Sequence, residues 1–459
     1  MMKKWIILIL TIAIIGCGFA LYHVMDNSGS THTIYVSING DDKNNGTISK
    51  PYRTFKKAAL EAKAGTVVYI REGIYNEQLI VQHSGTKDKP VEFKAYNQEN
   101  VVISGEGLKQ LEGDMPLVTI EDKNYVTISG LTIQDLTTDV SDHTVMGIFV
   151  TGSSSHIHLE NNHVHDIKTL ADDGNAHGIA VYGTDGMKDI VIENNTVEDL
   201  ILGASESIVL NGNIDGFTVK DNLVRRNNNI GIDLIGFEGI SNDPNADFVR
   251  NGCVKNNTVY EISSFGNPAY GEEYAAGGIY IDGGKNIIVE ENKVYANDIG
   301  IEATSEHADQ YAENISILHN EIYDNHFTGI SVGGYDKERG GTKNSVIAEN
   351  VLYRNDTKAL NGGQLLMQHN SKNIRIEKNI FTAGPTRIFI ANYFDTIQNN
   401  TWKQNVFHDE EGKEGIWIWK NKSYTSFPDF QKASNSDEES RYMEIEDIDF
   451  ILEKTSLGR

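Results

Sequence analysis

Residues 178–200 read GIAVYGTDGMKDIVIENNTVEDL, and this stretch decides the fold. Apolar and polar residues alternate from Ile179 to Tyr182, again from Ile190 to Glu193, and again after Asn195. Alternation with a period of two marks a strand with one buried face. The phrase then returns along the chain. Its Gly-Ile opening recurs as GIFV at Gly147, GIDL at Gly231, GIYI at Gly278, GIEA at Gly300 and GISV at Gly329. Its asparagine recurs at Asn162, Asn195, Asn222, Asn257, Asn292, Asn320, Asn350, Asn379 and Asn405, at separations of 26 to 35 residues. A strand-rich repeat of this length predicts a solenoid, in which each coil buries its apolar side chains by stacking on its neighbours. Equivalent residues of successive coils then become neighbours about 4.8 Å apart.

The bulk composition agrees. A chain of 459 residues with 39% apolar content can bury a long core, and a solenoid lengthens without adding domains. The sequence has 43 Gly but only 7 Pro, which suits many tight turns between strands that need their amide donors. A net charge of −25 argues against nucleic acid as a partner, because phosphate binding needs basic surface. It also counts against long polyanionic substrates unless basic groups or a divalent cation compensate.

The first residues read as a targeting segment. Lys3 and Lys4 precede the apolar run Trp5–Ile15 and then Gly16-Cys17. Ile14-Ile15-Gly16-Cys17 resembles the bacterial lipobox, which implies lipidation of Cys17 and membrane attachment of residues 1–25. An uncleaved anchor and simple secretion are the rivals, and all three put the body outside the cytoplasmic membrane. Residues 26–33 form a polar linker. Cys253 is expected to be a small buried residue pointing into the coils.

Ahead of the repeat, Phe55, Ala58, Ala59 and Ala62 share one face at helical spacing, and Val67 to Ile70 reads as a strand. A helix there would cover the open end of the solenoid. The run YVSINGDDKNNGT…KPYRTFKKAALEAKAGTVVYIREGIYNE closely resembles the N-terminal cap of secreted right-handed parallel β-helix proteins, among them family-nine pectate lyases and β-helical glycoside hydrolases. The resemblance implies an all-β, right-handed parallel β-helix over 34–408, with a helical cap in 34–80. It also implies that the acidic tail, 409–459, folds on the last coils. In that fold the asparagines stack in the turn between the second and third strand of each coil.

With GIxV as the first strand, x and the residue after V point outward. The x column runs Phe149, Ala180, Val209, Asp233, Tyr280, Glu302, Ser331, and the second column runs Thr151, Tyr182, Asn211, Ile235, Asp282, Thr304, Gly333. Asp233, Asp282 and Glu302 thus fall on three consecutive coils of one face. Asp282 and Glu302 are diagonal neighbours with carboxyls expected roughly 5–7 Å apart, near the spacing of a retaining glycosidase. Asp233 would orient or tune them. Long insertions at 168–177, 236–251, 263–277, 304–313 and 335–344 border this strand and are expected to wall a groove. Tyr182, Tyr280, Asn211, Glu306, His307, Phe237, Tyr335 and His177 are the candidate sugar contacts. Asp172 and Asp173 could hold Ca²⁺, although nothing requires a cofactor. Arg225, Arg226 and Lys285 are the nearest basic residues, expected to pair with the acids.

These features predict an extracytoplasmic, monomeric enzyme that cleaves glycosidic bonds in a polysaccharide or oligosaccharide, as a glycoside hydrolase. The alternatives are a pectate-lyase-like β-eliminating enzyme, for which the face offers no Lys base, and a non-catalytic surface adhesin.

Overall fold

The computed structural model describes residues 32–109, 113–410, 412–435 and 437–443. Cys17, the linker up to residue 31 and the tail from 444 lie outside these residues.

Each repeat makes one coil of three strands, and almost every strand pairs in parallel with the equivalent strand of the coils before and after it. The first strands stay in register through the repeat: Ile179 lies beside Ile208, Ile208 beside Ile232, Ile232 beside Ile279, Ile279 beside Ile301 and Ile301 beside Ile330. The one shift between these coils falls after the first strand, between Gly183 and Met187. These isoleucines and the apolar residues two positions on, Val181, Leu210, Leu234, Ile281, Ala303 and Val332, are buried and belong to one continuous core. The alternation read from the sequence therefore sets which face is inside.

The glycine that opens each phrase has a steric reason. A Cβ on Gly147 would sit 2.6 Å from the Gly178 carbonyl oxygen and 2.6 Å from Val164 Cγ1. At Gly231 and Gly300 it would meet the next coil's carbonyl oxygen at 2.4 Å. The corner between third and first strand is so tight that neighbouring coils touch through backbone alone.

The asparagine series aligns as expected, along the turn between second and third strands. Each Oδ1 accepts the backbone N–H of the preceding coil's asparagine, as from Asn222 to Asn257 at 2.9 Å, and each Nδ2 donates onward and to a second-strand carbonyl. The row ends at Ser440, whose hydroxyl oxygen accepts from the Asn405 amide. The left-handed backbone in this turn falls on the residue before each ladder asparagine, at Asn161, Asn194, Asp221, Asn256 and their equivalents. The ladder asparagines are thus spared for hydrogen bonding. A second buried ladder, Asn297, Asn325 and Asn355, closes the turn that leads into the first strand.

At the N-terminal end the helix Phe55–Glu61 is capped by Thr54, whose side chain accepts the Lys57 amide, and it buries Phe55, Ala58 and Ala59 over the first coil. At the other end pairing continues past residue 408: Ile416–Trp419 adds to Ile388–Ala391, and Arg441–Met443 adds to Val406–His408. The helix Phe427–Ser434 drives Phe430 against Trp402, Trp417 and Trp419. Cys253 is buried but faces outward, beside Thr218 in register, because the inward places are held by its neighbours Gly252 and Val254. No helix among the described residues is long and apolar enough to cross a membrane.

Candidate active site

The first-strand face carries the acids in the columns read from the sequence. Val209 lies beside Asp233, Asp233 beside Tyr280, Tyr280 beside Glu302 and Glu302 beside Ser331. Asp282 lies beside Thr304. Asp282 and Glu302 are therefore on adjacent strands with a two-residue offset, an arrangement that brings Cβ atoms within about 7–8 Å and lets the carboxyls converge. The columns pass from an apolar patch at one end (Met146, Ala180, Val209, Ile235) to another at the other end (Leu366, Ile388, Ala391, Ile418). The acids occupy the gap between them.

Two loops are pinned over this face. Asp298, wholly buried, accepts the amides of Ser264 and Ala276 through one oxygen, fixing both ends of 263–277. Asp247 accepts the amides of Gly239 and Ser241 and so ties 236–251. Under these loops outward-facing side chains are buried: Asp233 is 2% exposed, Asp282 4% and Glu302 9%.

Burial without cationic partners decides the electrostatics. Desolvation, reinforced by Glu206 and Asp282, holds the Asp233 carboxyl well above its ordinary range. Asp282 is raised in the same way, by burial and then by the Glu306 charge, against a lowering hydrogen bond from the Glu306 amide. Burial pushes Glu302 up to about 7, opposed by a hydrogen bond from Ser331. Ser331 Oγ donates to Glu302 Oε1 at 3.0 Å and accepts from Gln368 Nε2 at 3.0 Å. Tyr280 OH donates to Glu306 Oε1 at 3.3 Å. The cluster thus retains shared protons at neutral pH, and the titration belongs to the group rather than to single residues.

Glu206 was not legible as a site residue. It precedes the strand Ile208–Lys220 at the place His177 holds one coil earlier, and burial raises it to about 8. The signal was its position before a first strand whose opening glycine is replaced by Ser207. Glu238 also joins the site, its Oε1 accepting from His307 Nε2 at 2.9 Å in the tautomer that carries the proton there.

Several expected contacts are corrected. His177 is 1% exposed and lies behind the groove, bonded to Tyr182 OH at 3.0 Å and to the Glu206 carbonyl at 3.1 Å. Burial holds it near 4, so it is neutral, and with both ring nitrogens taken by Tyr182 and the Glu206 carbonyl it has none left for a sugar. Phe237, expected as a sugar contact, packs on Phe248, and Lys285 Nζ lies 4.3 Å above the Phe248 ring and 5.2 Å above Phe237, so Lys285 does not pair with the acids. Arg225 and Arg226 bind Glu198 and Asp199 on the third-strand face. Asp172 and Asp173 sit exposed in a turn. Among the described residues no three His, Cys, Asp or Glu side chains gather with a geometry to hold a metal ion. Tyr335, 49% exposed, stands within the field of Glu306 and Asp282 with Arg339 4.0 Å above its ring. Asn211 faces the groove beside Ile235.

Comparison with known proteins agrees with this architecture. The family described as "Pel9A-like, right handed beta helix region" matches residues 34–232, and "Right handed beta helix region" matches 254–428. The uncharacterized protein YwoF of Bacillus subtilis (strain 168) is 57% identical over 444 residues, covering 96% of this chain and 94% of its own. Pectate lyase PEL9 of Emericella nidulans is 38% identical over 84 residues, 18% of this chain and 20% of its own. The GH136 lacto-N-biosidase of Eubacterium ramulus superposes with a TM-score of 0.55 at 13% identity, over 90% of this chain and 67% of that one, a likeness of fold. The chain belongs to the right-handed parallel β-helix proteins, in one family with the Bacillus subtilis protein.

Proposed function

We propose that this protein is a glycoside hydrolase working outside the cytoplasmic membrane, held there through Cys17, and that Asp282 and Glu302 are its reactive pair. The observation that carries the reading is their placement on adjacent strands of one buried face, without a Lys or Arg ion pair to either. A retaining hydrolase needs two carboxyls about 5–5.5 Å apart, one ionised and one protonated. Glu302, poised near 7, supplies the proton to the departing glycosidic oxygen. Asp282 attacks the anomeric carbon from its ionised form, which the hydrogen bond from the Glu306 amide favours against burial. Glu302, now ionised, takes a proton from the water that releases the sugar. Asp233, its own carboxyl held up by burial and by Glu206 and Asp282, stands beside them and tunes the pair.

A β-eliminating lyase is the second reading, favoured by the Pel9A-like match over 34–232 and the local likeness to a pectate lyase. It requires a base and a cation to neutralise a uronate carboxylate. Incubation of the purified protein with a panel of plant and bacterial glycans tests both. New reducing ends without ultraviolet absorbance support hydrolysis; absorbance from unsaturated products replaces it with elimination. Binding without either product leaves a non-catalytic surface protein.

A further inference from the structure

We infer that the groove is built for a glycan that presents hydrogen-bond donors and carries no anionic group, so that uronate chains are excluded. The inference rests on the sugar-binding reading above and narrows it. Its first support is a set of polar atoms without a protein partner on the groove face: Asn211 Oδ1, Asp233 Oδ1 and Thr304 Oγ1. Their side chains are 6%, 2% and 1% exposed, and buried polar atoms in a folded protein are nearly always bonded. Asn211 Oδ1 only accepts, a carboxyl oxygen of Asp233 accepts even when its other oxygen carries a proton, and the Thr304 hydroxyl can do either. All three therefore call for hydroxyl or ammonium hydrogens. They stand on strands that are successive coils apart, Asn211 beside Ile235 and Thr304 beside Asp282, a span of about 14 Å at the spacing of parallel strands. Donors over that span come from more than one sugar ring.

The second support is charge. Glu206, Asp233, Glu238, Asp282, Glu302 and Glu306 act on one another electrostatically across the groove. Among the described residues none of the six has a Lys or Arg ion pair; Glu206 and Glu238 face only His177 and His307. The nearby basic groups are engaged elsewhere: Lys285 over Phe248, Arg250 with Asp215 at 3.3 Å, and Arg339 with Asp336. A uronate carboxylate entering here would meet six carboxyl groups, with Arg339 at the Tyr335 rim already paired to Asp336. A hydroxyl or an amino group would meet acceptors.

The two donor sources are separated by calorimetric titration of the full-length protein. The probes are a neutral gluco- or xylo-pentamer, a glucosamine pentamer with free amines, and a pentagalacturonate, each with and without calcium. Binding of the neutral pentamer assigns the donors to hydroxyls. Binding of the glucosamine pentamer alone, weakening with salt, assigns them to ammonium groups. Asn211→Leu is expected to weaken either at least tenfold, and Glu306→Lys, at an exposed position, to raise pentagalacturonate binding at least tenfold. Pentagalacturonate bound by the wild type as tightly as the others, with or without calcium, overturns the inference, as does failure of all three to bind a protein shown to be folded. A bound but uncleaved neutral sugar would remove the hydrolase reading and leave this one. Cleavage of a uronate chain would remove this one and leave an enzyme.

Discussion

The Glu306 amide donates to Asp282 Oδ1 at 2.8 Å, while the Glu306 carboxylate is the charge that most raises Asp282 after burial itself. One residue thus favours the ionised form of Asp282 through its backbone and disfavours it through its side chain. Tyr280 OH, on Glu306 Oε1, moderates the second effect.

That opposition can be read in kinetics. Glu306→Gln keeps the amide and removes the charge, so Asp282 and Glu302 should both titrate lower. The alkaline limb of the rate profile, set by loss of the acid's proton, is expected to move down by roughly 0.5–1 pH unit, since Glu306 is exposed and its charge is screened. A limb that stays in place means Glu306 does not act on the reacting pair.

Asp282→Asn and Glu302→Gln should each lower turnover by about 10²–10⁴ on a confirmed substrate, the usual worth of a general acid or nucleophile. Their circular dichroism and melting should remain those of a folded β-helix. Near-wild-type turnover in both would make the carboxyls surface charge.

Stability gives an independent reading of Glu302. The folded chain holds this proton more tightly than the unfolded chain, whose carboxyl titrates near 4.5, so the contribution of Glu302 to stability is full below about 4.5 and is lost as pH rises through about 7. Glu302→Gln, which cannot ionise, should therefore be more stable than the wild type at pH 8 and show no advantage at pH 4. At about 1.36 kcal/mol per unit the gain is at most about 3 kcal/mol. Urea denaturation at the two pH values measures it.

Position in the ladder predicts a contrast. Asn257→Ala leaves the Asn222 amide and the Val219 carbonyl without a buried partner, a loss of about 2–4 kcal/mol. Asn286 belongs to an exposed row, donating to Asn251 Oδ1 and accepting from Asn314 Nδ2. Asn286→Gly, which also keeps its left-handed φ of 55°, should change stability by less than about 1 kcal/mol. Equal losses would mean that burial does not govern these rows.

The repeat made the columns legible because first strands that keep register from coil to coil convert sequence period into lateral position. Asp233, Asp282 and Glu302 could be aligned for that reason alone. Burial of those outward positions was not legible, since it depends on loops whose path is fixed by single buried anchors such as Asp298 and Asp247. The same cover explains His177, read as a contact and found behind Tyr182. The second ladder was available as an asparagine five residues after the first, at Asn297 after Asn292 and Asn325 after Asn320. Glu206 escaped because its coil opens with Ser207 rather than glycine.

Asn292, the fifth of the nine ladder asparagines, belongs to the coil that carries Asp282. A stack of this kind melts from its ends as a zipper opens, because each coil is held only by the two it touches. The acids are therefore placed where loosening must travel farthest from either end. The terminal coils act as sacrificial length, and a chain that had lost its last turns could still hold the groove in shape.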